Sequence, residues 1–128
     1  MKTNIKELAV VVLFWNDSKK TIKCLNSLFK QKNQKLSIVL VDNNSEKKFT
    51  KKIFDWLNDK NIKIVKINKK NLIQKKNKIR KICFYIKNKI NYGCGLGHNF
   101  GYKFCLRNGF KYIARIDNDM IVPNLTIF

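Results

Sequence analysis

Residues 8–41 decide the fold: Leu8-Ala9-Val10-Val11-Val12-Leu13-Phe14, the polar trio Asn16-Asp17-Ser18, a helical stretch, then Leu36-Ser37-Ile38-Val39-Leu40-Val41. The first run is continuously apolar and rich in β-branched residues, the pattern of a strand buried on both faces. Asn16, Asp17 and Ser18 are all good helix N-caps. Ile22, Leu25, Leu28 and Phe29 recur at helical spacing, which predicts an amphipathic helix over 19–31. Leu36 to Val41 reads as a second buried strand. Two such strands around one helix make a βαβ unit, with parallel strands and a right-handed crossover.

Working outward, Asp42-Asn43-Asn44-Ser45 is a turn, and Phe49, Ile53, Trp56 and Leu57 mark a second helix. Ile62 to Ile67 alternates with Lys, as expected of a strand near a sheet edge. Residues 68–90 fit no single pattern: 68–81 is mostly Lys and Asn, a solvated loop or frayed helix, and Ile82 to Ile86 has the composition of a short extra strand. A glycine-rich segment, 91–99, precedes a helix expected from about His98 to Asn108, with Phe100 and Phe104 inward and Gly109 as its stop. Tyr112 to Ile116 is the last strand. The whole is one domain over 1–128 of α/β class, a mostly parallel sheet flanked by helices. In such sheets ligands bind beyond the carboxyl ends of the strands. Trp15-Asn16, Asp42 to Ser45 and Asp117-Asn118-Asp119 all fall there.

Composition narrows the partners. Lys and Arg number 28 against 8 Asp and Glu, for a formal net charge of +20. Only Arg80, Arg107 and Arg115 are arginines, and nucleic-acid readers favour Arg for bidentate contacts. No specific nucleic-acid partner is therefore expected. A basic nucleic-acid-binding module remains the alternative, because the acid-free span from Lys60 to Ile116 attracts polyanions of any kind. An anionic membrane surface is one, a nucleotide diphosphate another. A Lys/Asn/Ile bias from an AT-rich coding sequence explains the same charge without a partner. No apolar run approaches the roughly 20 residues that span a bilayer, and no leader-like cleavage site follows Met1. The four cysteines lack metal-ligand spacing and read as reduced, mostly buried thiols of a cytoplasmic protein.

Asp117 and Asp119 are the only acids after Asp59. Two carboxylates at i and i+2, alone at a strand end, suit a hard divalent cation, Mn²⁺ or Mg²⁺, shared with a phosphate. In isolation an Asp-Asn-Asp turn is the better account of them. The glycines at 93, 95 and 97 do not form the G-x-G-x-x-G of dinucleotide binders and come too late in the chain for it.

Taken together, Val11 to Asn16, Cys24 to Leu28, Val41 to Ser45, Asn91 to Gly101 and Asp117 to Asp119 give a pattern that resembles the N-terminal, nucleotide-sugar-binding half of a family 2 glycosyltransferase of GT-A fold. The likeness spans nearly everything except 68–90. The Gly-His-Asn variant at 97–99 is most similar to rhamnosyl- and galactofuranosyl-transferase-like members that build surface polysaccharide.

The resemblance implies a donor such as a UDP- or dTDP-sugar and a polysaccharide or lipid-linked acceptor, with the protein cytoplasmic or peripheral at the inner membrane face. It implies that Phe14, Trp15 and Asn16 line the base, and that Asp42, with Asn44 beside it, bonds base or ribose. Asn91, Gly93, His98 and Asn99 would belong to the loop at the diphospho-sugar, Asp117 to ribose or metal, and Asp119 to the metal. Asp42 as a plain turn cap and His98 as a structural residue are the simpler roles for each. In the family the catalytic base lies after the metal motif, so none is expected before Phe128. On this pattern the chain is a truncated form of the fold, and a non-catalytic remnant is a further alternative.

Overall fold

A computed structural model describes residues 8–31, 36–67 and 81–123. Five parallel strands form one sheet: β1 (Leu8–Phe14), β2 (Leu36–Asp42), β3 (Lys63–Ile67), β4 (Ile82–Lys87) and β5 (Tyr112–Arg115), in the order β3-β4-β2-β1-β5. Three helices connect them: α1 (Ser18–Phe29), α2 (Lys47–Asp59) and α3 (Gly93–Arg107). Among the described residues no helix is long and apolar enough to cross a membrane. The Lys/Asn-rich stretch expected at 68–81 lies outside the described residues, apart from the exposed Lys81.

The period-2 geometry of the strands divides the core in two. Val10, Val12, Phe14, Ile38 and Leu40 point to one face, where they meet Leu25 and Leu28 of α1 and Ile53 and Leu57 of α2. Ala9, Val11, Val39 and Val41 point to the other, against Phe104 and Cys105 of α3. This two-sided burial is why β1 and β2 are apolar without alternation. β3 is at an edge, as its alternating lysines suggest. The short run at 82–86 is a strand, and it sits inside the sheet, between β2 and β3.

The third helix differs from expectation. It begins at Gly93, five residues before His98, so the glycine segment is mostly its first turns. Glycine is a poor helix former, and packing overrides that here. An added Cβ at Gly101 would lie 2.7 Å from Val11 Cγ1 and 3.0 Å from Val41 Cγ2, and one at Gly97 would lie 3.0 Å from Asn43 Nδ2. The line Gly97, Gly101, Phe104, Cys105 faces the sheet, and that leaves Phe100 outside. Phe100 is exposed and pairs with Tyr92 instead, ring centroids 5.0 Å apart.

Candidate functional site

The loops after β1, β2, β4 and β5 meet at the carboxyl edge of the sheet around a cleft of about 520 Å³. That size is within the usual range for small-molecule sites. Strand order reverses beside β1, whose successor β2 lies on one side and β5 on the other, so the cleft occupies the topological switch point.

Each loop is fixed by polar contacts that its sequence supplies. Asn16 sits in the left-handed region (φ 53°), which asparagine tolerates better than most residues. Its N–H donates to Ser45 Oγ (2.8 Å), and its Oδ1 accepts from Glu46 N–H (2.8 Å). Asp17 caps α1 by accepting from Lys20 N–H. Asn43 is buried at 3 % exposure. Its Nδ2 donates to Asn91 Oδ1 (2.9 Å) and to Gly93 O (3.1 Å). Its Oδ1 accepts from Asn88 Nδ2 (3.0 Å) and from Tyr92 N–H (3.1 Å). One side chain thus ties the β2 loop to the β4 loop and the start of α3. The segment after β5 is held to α1 and the residues just beyond it: Asn118 Nδ2 donates to Thr21 Oγ1 (3.1 Å), Val122 N–H to Ser27 Oγ (2.9 Å) and Gln31 Nε2 to Pro123 O (2.8 Å).

Of the residues singled out in the sequence, Phe14, Trp15, Asn91, Gly93, His98, Asp117 and Asp119 line the cleft. Asn16, Asn44 and Asn99 do not. Asn44 is exposed with φ 68°, and Lys87 Nζ lies 3.5 Å from its Oδ1. Asp42 lies beneath the cleft and is 0 % exposed. Its Oδ1 accepts from Ser45 N–H (2.7 Å), and its Oδ2 from Thr50 Oγ1 (3.0 Å) and Tyr85 Oη (2.5 Å). Burial, and then the bond to Asp42, raise the Tyr85 phenol well above its ordinary range. Asp42 thus caps the turn to Ser45, the simpler of the two roles weighed for it, and anchors Thr50 and Tyr85.

Leu13, Asp17, Asn43, Cys94, Arg115 and Asn118 also line the cleft, without having been assigned to it. Strand alternation carried the missed signal. Asp42 continues the register of Ile38 and Leu40 toward α1 and α2, so Asn43 comes next on the α3 side, where the cleft opens. Arg115 pairs with Val11 in the β1–β5 register and shares that side.

Trp15 is 54 % exposed at the rim, a flat apolar surface for a ring. His98 is buried beneath. Its Nδ1–H donates to Cys94 O (2.7 Å), and its Nε2 has no partner among the described residues. Burial, the largest cause, lowers its pKa, so the neutral ring is favoured. Burial and the nearby carboxylates of Asp119 and Asp117 push the Cys24 thiol up to about 11, which keeps it protonated beneath the aspartate loop, where its Sγ donates to Asp117 O. Asp117 and Asp119 are exposed, and Asp17 is the third carboxylate of the lining. Among the described residues no group of three or more His, Cys, Asp or Glu is arranged to hold a metal ion by itself. Two exposed carboxylates still fit Mg²⁺ or Mn²⁺, which complete their shells with water and substrate phosphate.

The sequence profile described as Glycosyl transferase family 2 matches residues 9–127. No curated protein matches the chain. Among solved structures, the fold is similar to that of the mannosyltransferase PcManGT from Pyrobaculum calidifontis, solved in complex with GDP-Man and Mn²⁺. The TM-score is 0.68 at 14 % identity, over 91 % of this chain and 28 % of that one. It is also similar to S. aureus TarS, with a TM-score of 0.55 at 19 % identity, over 88 % of this chain and 16 % of that one. The chain spans less than a third of either structure, and at these identities the likeness is one of fold.

Proposed function

The chain belongs to glycosyl transferase family 2, and from that premise we propose that its cleft binds a nucleoside-diphospho-sugar whose sugar is transferred to a polysaccharide or lipid-linked acceptor. One observation carries this reading. Four strand-end loops, contributed by separate parts of the chain, converge on one cleft whose lining includes both an exposed indole, Trp15, and the two carboxylates Asp117 and Asp119. Those are the groups a nucleoside diphosphate calls for: a flat surface for its base and hard oxygen ligands for a cation on its phosphates.

In this reading Trp15 and the backbone of Leu13 and Phe14 receive the base. Asn91, Gly93 and the start of α3 border the diphosphate, where a helix N-terminus favours negative charge. Asp117 and Asp119 hold a divalent cation against the phosphates. The ion supplies charge stabilisation for the departing diphosphate. The chain's own contribution is to position the donor and to keep the aspartate loop fixed on α1. A uridine or thymidine nucleotide is the donor the resemblance favours.

Titration calorimetry with UDP, dTDP and GDP, with and without Mn²⁺, tests the reading on the protein and on Asp119→Ala. We expect metal-dependent binding of at least one nucleotide at 150 mM salt and its loss in the variant. Binding that ignores the substitution and collapses with added salt would instead mark unspecific attraction of a polyanion to the lysines.

A further inference from the structure

We propose that Arg115 is the diphosphate-binding cation of this cleft, and that its ion pair with Asp117 is a resting arrangement which the incoming nucleotide exchanges for its own. The inference rests on the donor-site reading above and adds a residue that the sequence pattern did not assign.

The chain carries a large positive charge, yet its cleft does not. Among the described residues of the lining Asp17, Asp117 and Asp119 are acidic, and Arg115 is the single Lys or Arg. His98 contributes no charge while burial keeps its ring neutral. A diphosphate entering this cleft meets three carboxylates and one fixed cation. Binding requires that the carboxylates be neutralised and that the cation be free to face the phosphates.

The placement of Arg115 allows both. It is the last residue of β5, on the α3 side of the sheet. Its Nε lies 3.5 Å from Asp117 Oδ1, and its Nη2 donates toward Cys94 Sγ at 3.0 Å, in the first turn of α3. The guanidinium therefore bridges the aspartate loop and the helix N-terminus, the two sides between which a diphosphate would sit. The pair is weak by construction: the two side chains are 43 % and 59 % exposed, and exposed ion pairs are easily exchanged. A neutral or partly negative sulfur is also a poor partner for a guanidinium compared with phosphate oxygens, which its planar fork matches in pairs. When Asp117 turns to a divalent cation, Arg115 loses its carboxylate partner and gains a phosphate.

Exchange at Asp117 predicts effects of opposite sign, which a merely structural arginine would not produce. The experiment uses the protein, Arg115→Gln and Arg115→Lys, with thermal melts to establish that each variant folds. Calorimetry is run at 150 mM salt with three probes: MnCl₂ alone, the best-bound nucleoside diphosphate with Mn²⁺ held at saturation for each variant, and the matching nucleoside. In Arg115→Gln we expect the diphosphate to bind about tenfold or more weakly, the scale of a lost charge-assisted contact, with the nucleoside unchanged. Mn²⁺ alone should bind more tightly, because Asp117 has lost its competitor. Arg115→Lys should recover part of the diphosphate affinity. Equal diphosphate affinity in a folded Arg115→Gln, or weaker binding of Mn²⁺ alone, would overturn the proposal. Failure of the unsubstituted protein to bind any nucleotide would overturn the donor-site reading beneath it as well.

Discussion

Asn43 Nδ2 donates to Asn91 Oδ1 at 2.9 Å, across 48 residues of sequence, and so fixes the distance between the β2 and β4 loops. With its three other contacts, to Gly93 O, Asn88 Nδ2 and Tyr92 N–H, Asn43 shapes one wall of the cleft from beneath. Asn43→Ala should lower stability by about 1–3 kcal/mol, because buried donors and acceptors lose their partner. Urea unfolding measures this. An unchanged midpoint would mean that the loops hold their places without Asn43.

Asp42 differs in kind from Asp119. Asp42→Asn weakens a buried acceptor with three donors, and should cost about 1.5–3 kcal/mol of folding stability, the scale for hydrogen bonds to a charged group. Nucleotide affinity of the folded fraction should stay close to that of the unsubstituted protein. Asp119→Ala should show the reverse, with stability kept and metal-dependent binding lost. Melting curves and calorimetry on the same samples separate the two. A stable Asp42→Asn with impaired nucleotide binding would return Asp42 to the ligand.

The glycines of α3 divide in the same way. Gly101→Ala places a Cβ against Val11 and Val41 and should destabilise by about 1–3 kcal/mol, the usual cost of overpacking. The double variant Gly101→Ala/Val11→Ala should be more stable than the sum of its single changes. Gly95 has nothing within 4 Å of an added Cβ, so Gly95→Ala should be neutral or stabilising by up to about 1 kcal/mol through helix propensity. Equal effects at the two positions would contradict the close approach of α3 to the sheet.

His98 makes stability depend on pH. Burial lowers its pKa in the folded chain from the ordinary 6.5. The unfolded chain therefore takes up the proton first as pH falls, and stability declines below about pH 6.5. Above that value the contribution is fully present. His98→Gln should flatten this part of the profile. Unfolding midpoints between pH 5 and 7.5 for both proteins would show it, and parallel profiles would refute the assignment.

Much of this was legible in the sequence because burial leaves a period. The apolar runs of β1 and β2, the helical spacing of Ile22, Leu25, Leu28 and Phe29, and the alternation of β3 each follow from which faces are covered. The convergence of the Trp15, Asp42-to-Ser45 and Asp117-to-Asp119 loops followed from the parallel order alone. β4 was indistinct, since six residues carry little periodicity, although the strand is central. The start of α3 was hidden because glycine usually interrupts helices, and only the contacts of Gly97 and Gly101 with the sheet explain its use here. For Asp42 the resemblance offered a bond to base or ribose and the turn chemistry offered a cap; the cap is present, since its register with Ile38 and Leu40 turns it toward the α1–α2 face, where Ser45 N–H donates to it.

The most direct test of the donor-site reading is to map where a nucleotide binds, by ¹H–¹⁵N chemical-shift changes on titrating the best-bound nucleoside diphosphate with Mg²⁺. The account predicts saturable shifts at the Trp15 indole and at the amides of Asn91, Gly93, Cys94, Asn118 and Asp119, residues that meet only at the carboxyl edge of the sheet. Shifts spread over the lysine-rich surfaces of α2 and β3, with the cleft residues unmoved, would contradict it.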